Sequence, residues 1–303
     1  MRSRKSIKNG TLPTIARPPL SDWVSIGITT RNRWQDLSAT LKRLAEAELG
    51  QLPIHIFDDG SDEPCPIPGT SLPLQLKLRR FSDSVGCVVR RNQLASDVKT
   101  KYLLSLDDDS YPVSGSLEAA VQFAETHSDV LCLSFPIYNP VARIHQTPSL
   151  GKQIYQVRSF TGCGHLMNLP HFWKVGGYRE ELVHQGEEMD LAARAIQEGF
   201  KCFHFPGFQI HHTPSNQGRS LHRVDYFGSR NNLLWNDWYV PGPIKFIQQT
   251  RTILARTLLG LRVRRFALFK GQLDALWAIH QLQRCRRPFS MELYRLWKEL
   301  PVC

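Results

Sequence analysis

The sequence lacks a long apolar run. No uninterrupted apolar stretch in the chain approaches the roughly 20 residues that a helix needs to cross a bilayer. The basic residues at positions 1–9 are followed by a polar, Pro-rich stretch at positions 11–19 instead of an apolar segment. A cleaved secretory signal needs such a segment, so we expect none here. We expect residues 1–20 to form a flexible basic leader.

The sequence also lacks paired cysteines. Its seven cysteines are an odd, scattered set that contains no C-x-x-C pair. A disulfide framework or a zinc site would show regular spacings, whereas this set fits a reducing compartment. We therefore expect a cytoplasmic protein. The 42% of apolar residues in 303 positions is enough to build a sizeable packed core.

Acidic residues are scarce toward the C-terminal end. Residues 244–303 contain twelve Lys and Arg against three Asp and Glu, and they contribute +9 of the formal net charge of +11. Apolar positions recur there every three or four residues with cations between them, which is typical of a helix at a membrane surface. We expect residues 241–303 to form a basic amphipathic helical tail that contacts an anionic membrane surface.

An alternative for this tail stays open. A helix packed on the rest of the protein, with a solvated basic face, would show the same spacing. Nucleic acid is not expected as a partner, because the apolar positions are aliphatic and offer no aromatic platform for stacked bases. The membrane contact implies a cytoplasmic protein that is peripheral at the inner face of the cytoplasmic membrane.

Short apolar runs alternate with amphipathic stretches through the first half of the chain. Predicted strands cover residues 24–28, 54–57, 74–78 and 102–106. One predicted helix begins at Asp36 or Ser38 and ends near Gly50, and another follows Gly86. This alternation predicts an α/β fold with a mostly parallel central sheet and helices on both faces.

The second half has a different pattern. Residues 130–137, 155–161 and 203–210 are predicted as strands. Residues 187–199 are predicted as a helix, because apolar positions such as Leu191 and Ala195 recur at helical spacing. The tail beyond them is helical by the same criterion.

Acidic and imidazole side chains follow the predicted strands or open the predicted helix. The densest group is Asp107-Asp108-Asp109, at the end of the fourth strand. Like charges this close repel one another unless a cation neutralises them, and Mg²⁺ and Mn²⁺ prefer oxygen ligands. Asp58-Asp59 follows the second strand, and Glu187-Glu188 and His211-His212 complete the set. Parallel strands end at a common edge, so the first two groups are expected to converge there.

In this order the motifs resemble those of the family 2 inverting nucleotide-sugar glycosyltransferases, which have the GT-A fold. The matching segments are Val24 to Asn32, Phe57-Asp58-Asp59-Gly60-Ser61, Gly86 to Asn92, Leu106-Asp107-Asp108-Asp109 and Gly186-Glu187-Glu188-Met189-Asp190-Leu191. The resemblance implies a catalytic domain over residues 21–240. Residues 21–112 would be its nucleotide-binding half and residues 113–240 its acceptor-binding half.

The resemblance also implies roles for single residues in donor binding. The nucleotide-sugar-binding set is Thr29, Arg31, Asp59, Arg91, Asp107 and Asp108. Thr29 and Asp59 are expected at the base or the ribose, and Arg91 at the diphosphate. Asp108 would point away from its neighbours if the backbone is extended there, so a structural role stays open for it.

The same resemblance implies a divalent cofactor and a catalytic base. Mn²⁺ or Mg²⁺ would be held by Asp107, Asp109 and His212, with His211 as the alternative imidazole. The ion would stabilise the charge on the departing nucleoside diphosphate. Inverting transfer also needs a base for the acceptor hydroxyl. Glu188 matches the position of that base, and Glu187 stays open because the family often has Glu-Asp there.

Three residues are expected at the acceptor, and each has a structural alternative. Asp190 could instead favour the start of a helix, and Trp173 could pack in the core instead of stacking on a sugar. Arg230 could form an ion pair.

The resulting hypothesis is a metal-dependent inverting glycosyltransferase. It would move a sugar from a UDP- or dTDP-linked donor to a glycan or lipid-linked acceptor, in bacterial surface-polysaccharide or lipopolysaccharide synthesis. Two alternatives are a nucleotidyltransferase that makes the sugar nucleotide and an inactive membrane-associated scaffold. The first usually needs a Gly-rich phosphate loop, which the segment after the first strand lacks.

Overall fold

The computed structural model describes residues 18–47, 49–66, 73–147, 152–215 and 220–303. Most of the expected leader, residues 1–17, lies outside these ranges. The strands are β1 (Val24–Thr30), β2 (Pro53–Asp58), β3 (Gln75–Arg80), β4 (Tyr102–Asp107), β5 (Ser110–Gly115), β6 (Val130–Ser134), β7 (Ile137–Asn139), β8 (Ile144–His145), β9 (Tyr155–Val157), β10 (Gly164–Asn168), β11 (Lys201–His204) and β12 (Phe208–His212). The helices are α1 (Trp34–Glu46), α2 (Cys87–Asp97), α3 (Leu117–Thr126), α4 (Leu169–Lys174), α5 (Glu187–Gln197), α6 (Leu221–Tyr239), α7 (Gly242–Val263), α8 (Ala267–Gln281) and α9 (Met291–Glu299).

Eight strands form the central sheet, in the order β3-β2-β1-β4-β10-β6-β11-β9. The first four are parallel to one another, and so are β6 and β11. β10 runs antiparallel to both β4 and β6, and β9 runs antiparallel to β11. The expected α/β fold with a mostly parallel central sheet is confirmed.

Helices cover both faces of this sheet, which explains why its inner strands β1, β4 and β6 are buried along almost their whole length. On one face, Ile26 of β1 packs in a core with Leu41 of α1 and with α3. On the other face, Leu103 of β4 shares a core with Leu94 of α2 and Leu191 of α5. The sheet is therefore fixed from both sides, and its strand ends are placed rigidly.

A second sheet contains the strands β5-β12-β7-β8 in that order. The chain passes from the central sheet into this one where proline interrupts a strand: Pro136 lies between β6 and β7, and Pro206 between β11 and β12. Proline has no N–H to donate, so it ends a ladder of hydrogen bonds. The prediction of one strand over residues 130–137 is therefore wrong, and the run over residues 203–210 is likewise divided at Pro206, because each run contributes to two sheets.

The helices of the C-terminal region differ in burial. α8 buries six of its residues, and α9 packs Trp297 against the core. Neighbouring rings of Trp235, Tyr239, Phe289 and Trp297 lie 5.4–6.2 Å apart. In α7, by contrast, only Gly260 is buried. The alternative to a membrane-surface helix, a helix packed on the rest of the protein, thus applies to α8 and α9. None of the helices in the described ranges combines the length and the hydropathy that crossing a membrane requires.

α6 and α8 lie in direct contact. A Cβ on Gly271 of α8 would come within 2.2 Å of the carbonyl oxygen of Tyr226 on α6, so only glycine allows this approach. Beside it, Nε of Arg230 donates a hydrogen bond of 2.6 Å to Oδ2 of Asp274. Arg230 therefore forms the ion pair that was left open as the alternative to an acceptor contact.

Candidate active site

The carboxyl ends of β1, β2 and β4 meet at one edge of the central sheet. Thr29 of β1 is in register with Phe57 of β2 and with Asp107 of β4. The antiparallel β10 begins at the same edge, since Gly164 is in register with Leu106. Parallel pairing therefore brings together the segments that the sequence marked as a site, as expected for an open α/β sheet.

Asp107 and Asp108 point to opposite sides of β4. Asp107 faces α2, where its Oδ1 accepts a 2.7 Å hydrogen bond from Nη2 of Arg91. Asp108 faces α1: its Oδ2 accepts from the Thr30 hydroxyl at 2.7 Å, and its carbonyl oxygen accepts from the Thr40 hydroxyl at 2.8 Å. Burial raises the pKa of Asp108 to about 7. These contacts support the structural role that was left open for Asp108.

Asp109 lies between an arginine and a histidine. Its Oδ2 accepts a hydrogen bond from Arg33, and its Oδ1 lies 3.1 Å from Nε2 of His212. Burial alone would raise the pKa of Asp109, but His212 and Arg33 outweigh that effect and lower the pKa to about 2. Asp109 is therefore a buried carboxylate that stays ionised at neutral pH.

The groups around His212 fit a divalent cation. Nδ1 of His212 lies 2.7 Å from Oε1 of Gln146, an acceptor, so Nδ1 is the nitrogen that carries the proton when the ring holds only one. A doubly protonated ring forms an ion pair with Asp109, whose Oδ1 lies 3.1 Å from Nε2, whereas the singly protonated ring leaves a lone pair on Nε2. In that form Nε2 and Oδ1 can share a cation, and oxygen and imidazole ligands suit Mn²⁺ or Mg²⁺.

Asp107 and Cys163 border the same space. Single ligand atoms of Asp107, Cys163 and His212 lie within 4.8 Å of one another. Burial raises the pKa of the Cys163 thiol well above its usual range, so it stays protonated and is a poor ligand for hard ions. Sequence reasoning missed Cys163, although its position between two glycines indicated a tight turn. His211 points elsewhere, against the rings of Tyr111 and Tyr138 at 5.8 and 5.5 Å.

Arg33 is the central contact that sequence reasoning missed. Its guanidinium lies 3.0 Å from Asp36, 3.2 Å from Asp108 and 3.2 Å from the Ser215 hydroxyl, in addition to its bond with Asp109. Arg33 thus supplies positive charge that allows two adjacent carboxylates to stay close together. The only signal in the sequence was its place in the polar loop after the first strand.

A second arginine joins the aspartates to the two glutamates. Nη1 of Arg91 lies 3.2 Å from Oε1 of Glu187 and 3.7 Å from Oε1 of Glu188, while Nη2 bonds Asp107. The Glu187 side chain is 5% exposed and that of Glu188 19% exposed, so Glu188 is the more accessible carboxylate. Burial and the charge of Glu187 raise the pKa of Glu188. A Cβ on Gly162 would approach Oε1 of Glu188 to 2.4 Å, so glycine leaves room for it.

The turn before α5 is held in an unusual backbone conformation. Val183 and Gln185 have φ angles of +62° and +70°, which are rare for residues with side chains and most of all for a β-branched one. The side-chain amide of Asn231 donates to the carbonyl oxygens of Leu182, His184 and Gln185 at 2.7–2.9 Å. Strained turns persist only where the surrounding contacts fix them. Asn231 therefore positions the start of the helix that carries both glutamates.

We expect Asn231→Asp to destabilise this turn and to lower turnover. The aspartate puts an oxygen where an NH₂ now donates, which leaves carbonyl groups unpaired at a cost of about 1–3 kcal/mol. Displacing the glutamates by an ångström would reduce the rate about 100-fold. The measurements are thermal unfolding, and sugar transfer at a temperature where the variant is folded.

Asn236→Asp is the matched control for Asn231→Asp. Asn236 lies on the same helix, is equally buried, and donates to the Thr252 hydroxyl at 3.0 Å. A hydroxyl can reverse its direction and donate to the new carboxylate, so transfer is expected to survive. Equal activity of the two variants would mean that the turn does not position the glutamates.

Asp59 ties β2 to the start of α2. Its two oxygens accept four hydrogen bonds of 2.7–2.9 Å, from the Ser84 hydroxyl, the amides of Val85 and Gly86, and Nε of Arg90. Burial would raise the pKa of Asp59, but these bonds prevail and lower it. Because four donors fill the carboxylate, a nucleotide contact by Asp59 requires one of them to be shared or displaced.

The two expected donor contacts after β1 lie at the same edge. Thr29 is half-buried and lines a cavity together with Arg91 between β1, β4 and α2. Arg31 is exposed in the loop that follows the strand. The structure therefore brings Thr29, Arg31 and Arg91 to the edge that holds Asp107.

Asp190 is not available to an acceptor in this structure. It has no exposed surface. Its oxygens accept hydrogen bonds from Arg194 at 2.7 Å and from the Tyr239 hydroxyl at 2.5 Å, and Arg179 lies 3.3 Å away. These contacts join α5 to α6 and give Asp190 a structural role, in place of the expected acceptor contact.

Trp173 lies away from the carboxylates, and Arg230 is held in an ion pair. β10 runs from the site toward Asn168, which is in register with Tyr102 at the opposite end of β4, and α4 with Trp173 follows it there. The Trp173 side chain is exposed but lies at the far edge of the sheet, and Arg230 is occupied by its ion pair. The expected acceptor contacts of both residues are not supported by these positions.

Solved structures with the same fold include three sugar-transferring or sugar-binding proteins. A structure of GalNAc-T7 with UDP, GalNAc and Mn²⁺ has a TM-score of 0.55 and 16% identity, covering 76% of this chain and 53% of that one. The structure of S. aureus TarS residues 1–349 with UDP-GlcNAc has a TM-score of 0.54 and 15% identity, and the match covers 70% of this chain and 66% of that one. The structure of the mannosyltransferase PcManGT from Pyrobaculum calidifontis with GDP-Man and Mn²⁺ has a TM-score of 0.55 and 15% identity, and the match covers 91% of this chain and 78% of that one.

At these identities the likeness shows the GT-A fold. The protein spans about half the length of the GalNAc-T7 chain. No curated protein sequence matches it at a significant level. The family model described as glycosyl transferase family 2 matches residues 25–176, which is half of the chain and includes β1, the Asp107-Asp108-Asp109 group and β10. On this match, together with the fold, the chain belongs to glycosyl transferase family 2.

Proposed function

We propose that this protein is a metal-dependent inverting glycosyltransferase. It takes a sugar from a UDP- or dTDP-linked donor and transfers it to a glycan or lipid-linked acceptor, in bacterial surface-polysaccharide or lipopolysaccharide synthesis. The observation that carries the proposal is the meeting of Asp107, Asp109, His212 and Glu188 at one sheet edge. Anionic and imidazole ligands there lie next to a half-buried carboxylate that can act as a base.

The donor is a nucleotide sugar on this proposal. The solved relatives in the fold were crystallised with UDP, UDP-GlcNAc or GDP-Man, two of them with Mn²⁺. In this chain, Thr29 and Arg31 lie at the sheet edge where the base and ribose would bind. The diphosphate would lie beside Arg91, close to Asp107.

Asp107, Asp109 and His212 would hold the divalent ion. When bound, Mn²⁺ or Mg²⁺ supplies positive charge that stabilises the departing diphosphate. The chain's own contribution is to hold these two carboxylates in place. Arg33 does this for Asp109 and Arg91 does it for Asp107.

Glu188 is the proposed base. In a single displacement the acceptor hydroxyl attacks the anomeric carbon and must lose its proton to a nearby group. The more exposed of the two glutamates suits this role, and its raised pKa makes the ionised carboxylate a stronger proton acceptor. Glu187 is buried against Arg91 and would hold that guanidinium in position.

A lipid-linked acceptor would place the reaction at a membrane. The protein would then act in the cytoplasm, peripheral to the inner face of the cytoplasmic membrane. The candidate site is acidic and the C-terminal region is basic, so the two would serve different partners.

A thermal-shift panel tests the proposed function. UDP, dTDP, GDP, ATP and their sugar derivatives are added with Mn²⁺, with Mg²⁺ or with EDTA. A ligand that binds only the folded protein, at roughly 100 times its Kd, should raise Tm by about 5 °C. We expect this shift for a uridine or thymidine diphosphate sugar and only with metal.

The same samples are assayed for hydrolysis of the donor that binds. Slow Mn²⁺-dependent release of the sugar would exclude an inactive scaffold. Equal shifts for all nucleotides with EDTA present would contradict a metal-dependent nucleotide-sugar site. Preference for a nucleoside triphosphate over any sugar nucleotide would favour a nucleotidyltransferase.

A further inference from the structure

The longest helix of the described residues turns most of its surface to solvent. Of the 22 residues of α7, only Gly260 is buried. Ile247, Leu254, Leu258 and Leu261 are 57%, 56%, 65% and 64% exposed. Steps of seven, four and three residues place these four on one stripe of the helix. Soluble monomers rarely leave so continuous an apolar stripe in water, so it indicates a contact surface.

Cations flank this α7 stripe. Arg251 and Arg262 follow Ile247 and Leu258 by four residues each, so each lies one turn further along the same side. The helix contains no Asp or Glu. Within the part of the chain that the structure describes, Arg251 and Arg262 form no ion pair with a carboxylate. The surface is therefore apolar along its centre and positive along its border.

We infer that the α7 stripe docks the protein on the surface of an anionic lipid bilayer. Its four aliphatic side chains enter the boundary between headgroups and acyl chains, and Arg251 and Arg262 meet the lipid phosphates. Each cation near an anionic surface strengthens binding about fivefold. The inference rests on the proposed function in one respect: the lipid-linked acceptor of that function would lie in the bilayer on which the α7 stripe docks.

The charge pattern favours lipid over the other occupants of such a stripe. In a symmetric dimer the same patch meets itself, which would bring Arg251 and Arg262 toward their own copies with no acid on α7 to compensate. A nucleic acid would satisfy the cations but would leave the aliphatic stripe without a partner. A bilayer with anionic headgroups satisfies both parts.

The position of α7 relates the stripe to the site. Arg265, just after α7, forms an ion pair with Asp225 near the start of α6, with Nη2 2.6 Å from Oδ1. Two residues before Asp225, Arg223 also lies near Gly86: its Nη2 is 3.8 Å from the position that a Cβ on Gly86 would take. The amide of Gly86 is one of the donors that bond Asp59. The Leu258–Leu261 end of the stripe is thus at the end of α6 closest to the nucleotide site. Docking there would bring a membrane-borne acceptor toward the carboxylates.

Vesicle co-sedimentation of the full chain tests the inference without any donor. One set of vesicles contains phosphatidylcholine and phosphatidylglycerol in equal parts, and the other contains phosphatidylcholine alone. Leu254→Asp with Leu258→Asp removes the apolar centre, and Arg251→Gln with Arg262→Gln removes the charge. Matched controls are Val141→Asp with Ile144→Asp, which are 81% and 55% exposed elsewhere, and Lys99→Gln with Lys152→Gln.

We expect the wild type and both controls to bind the anionic vesicles, and to bind the neutral ones far more weakly. The arginine pair should weaken binding about 30-fold, and the leucine pair about 100-fold. Binding of both variants at wild-type strength would overturn the inference. So would self-association in sedimentation velocity that the leucine pair abolishes while vesicles are not bound.

Donor hydrolysis separates this inference from the proposed function. The α7 variants contact none of the site residues, so Mn²⁺-dependent hydrolysis of the donor should stay at the wild-type level. Loss of vesicle binding with hydrolysis intact supports the docking surface alone. Vesicle binding by a protein that hydrolyses no sugar nucleotide would leave the surface standing and refute the proposed function.

Discussion

Glu188→Gln should abolish sugar transfer and leave donor binding intact. The amide has nearly the same shape as the carboxylate but cannot take the proton of the acceptor hydroxyl, so kcat should fall about 100- to 10,000-fold. Arg91 keeps its contacts with Asp107 and Glu187 in this variant. The Kd for the donor, measured by calorimetry with Mn²⁺, should therefore change little.

The pH profile gives a second test of the same residue. A base works only when deprotonated, and the pKa of Glu188 is raised by burial and by Glu187. Wild-type turnover should therefore rise with pH through a range above that of an ordinary carboxyl group, and the rise should vanish in Glu188→Gln. Glu198→Gln is the control, since Glu198 pairs with Arg287 at the far end of the same segment. A Glu188→Gln enzyme within tenfold of wild type would show that another group is the base.

Asp109→Asn should remove the metal dependence of nucleotide binding. Asn keeps the size of the side chain but loses the negative charge that faces His212, and a neutral amide oxygen is a much weaker ligand for a hard divalent ion. We expect the Tm shift of about 5 °C with UDP or dTDP and Mn²⁺ to be lost. Transfer activity should fall with it.

Asp36→Asn is the control for effects that pass through Arg33, which contacts both Asp36 and Asp109. Asp36 contacts Arg33 at 3.0 Å but is not in contact with His212 in the structure. If Asp109 acts as a metal ligand, Asp36→Asn keeps the metal-dependent shift and Asp109→Asn loses it. If both variants lose the shift, the effect passes through Arg33 and the role of Asp109 as ligand is refuted.

The sheet and the meeting of its strand ends could be predicted from sequence because both follow from local patterns. Apolar runs of four to seven residues that alternate with helical stretches give parallel strands, and parallel strands end at a common edge. The convergence of Thr29, Asp59 and Asp107 therefore needed no knowledge of long-range contacts. The direction of Asp108, opposite to Asp107, followed from the alternation of side chains along a strand.

The remaining features depend on pairings between distant segments. Arg33 contacts Ser215, 182 positions later, and Asn231 supports a turn 46 to 49 positions earlier. No periodicity in the sequence indicates such contacts. The same limit applies to Asp190 and Trp173, whose residue types suit an acceptor site but whose surroundings are set by how α4, α5 and α6 pack.

The burial of the C-terminal helices is the clearest case in which the sequence pattern does not predict the packing. α7 and α8 both have apolar residues at helical spacing, yet α7 buries one residue and α8 buries six. Spacing alone predicts an amphipathic helix in both cases. Which apolar face is covered depends on the approach of α8 to α6, which one glycine at position 271 permits.

The ring cluster of Trp235, Tyr239, Phe289 and Trp297 has a consequence for any shortened form of the protein. Trp235 and Tyr239 belong to α6, whereas Phe289 and Trp297 belong to the last stretch of the chain. A chain that ended after α6 would lack two of the four rings in this cluster. The indole and phenol left behind would meet water, and the exposed patch would invite aggregation. The candidate site and the C-terminal helices therefore have to be produced as one chain.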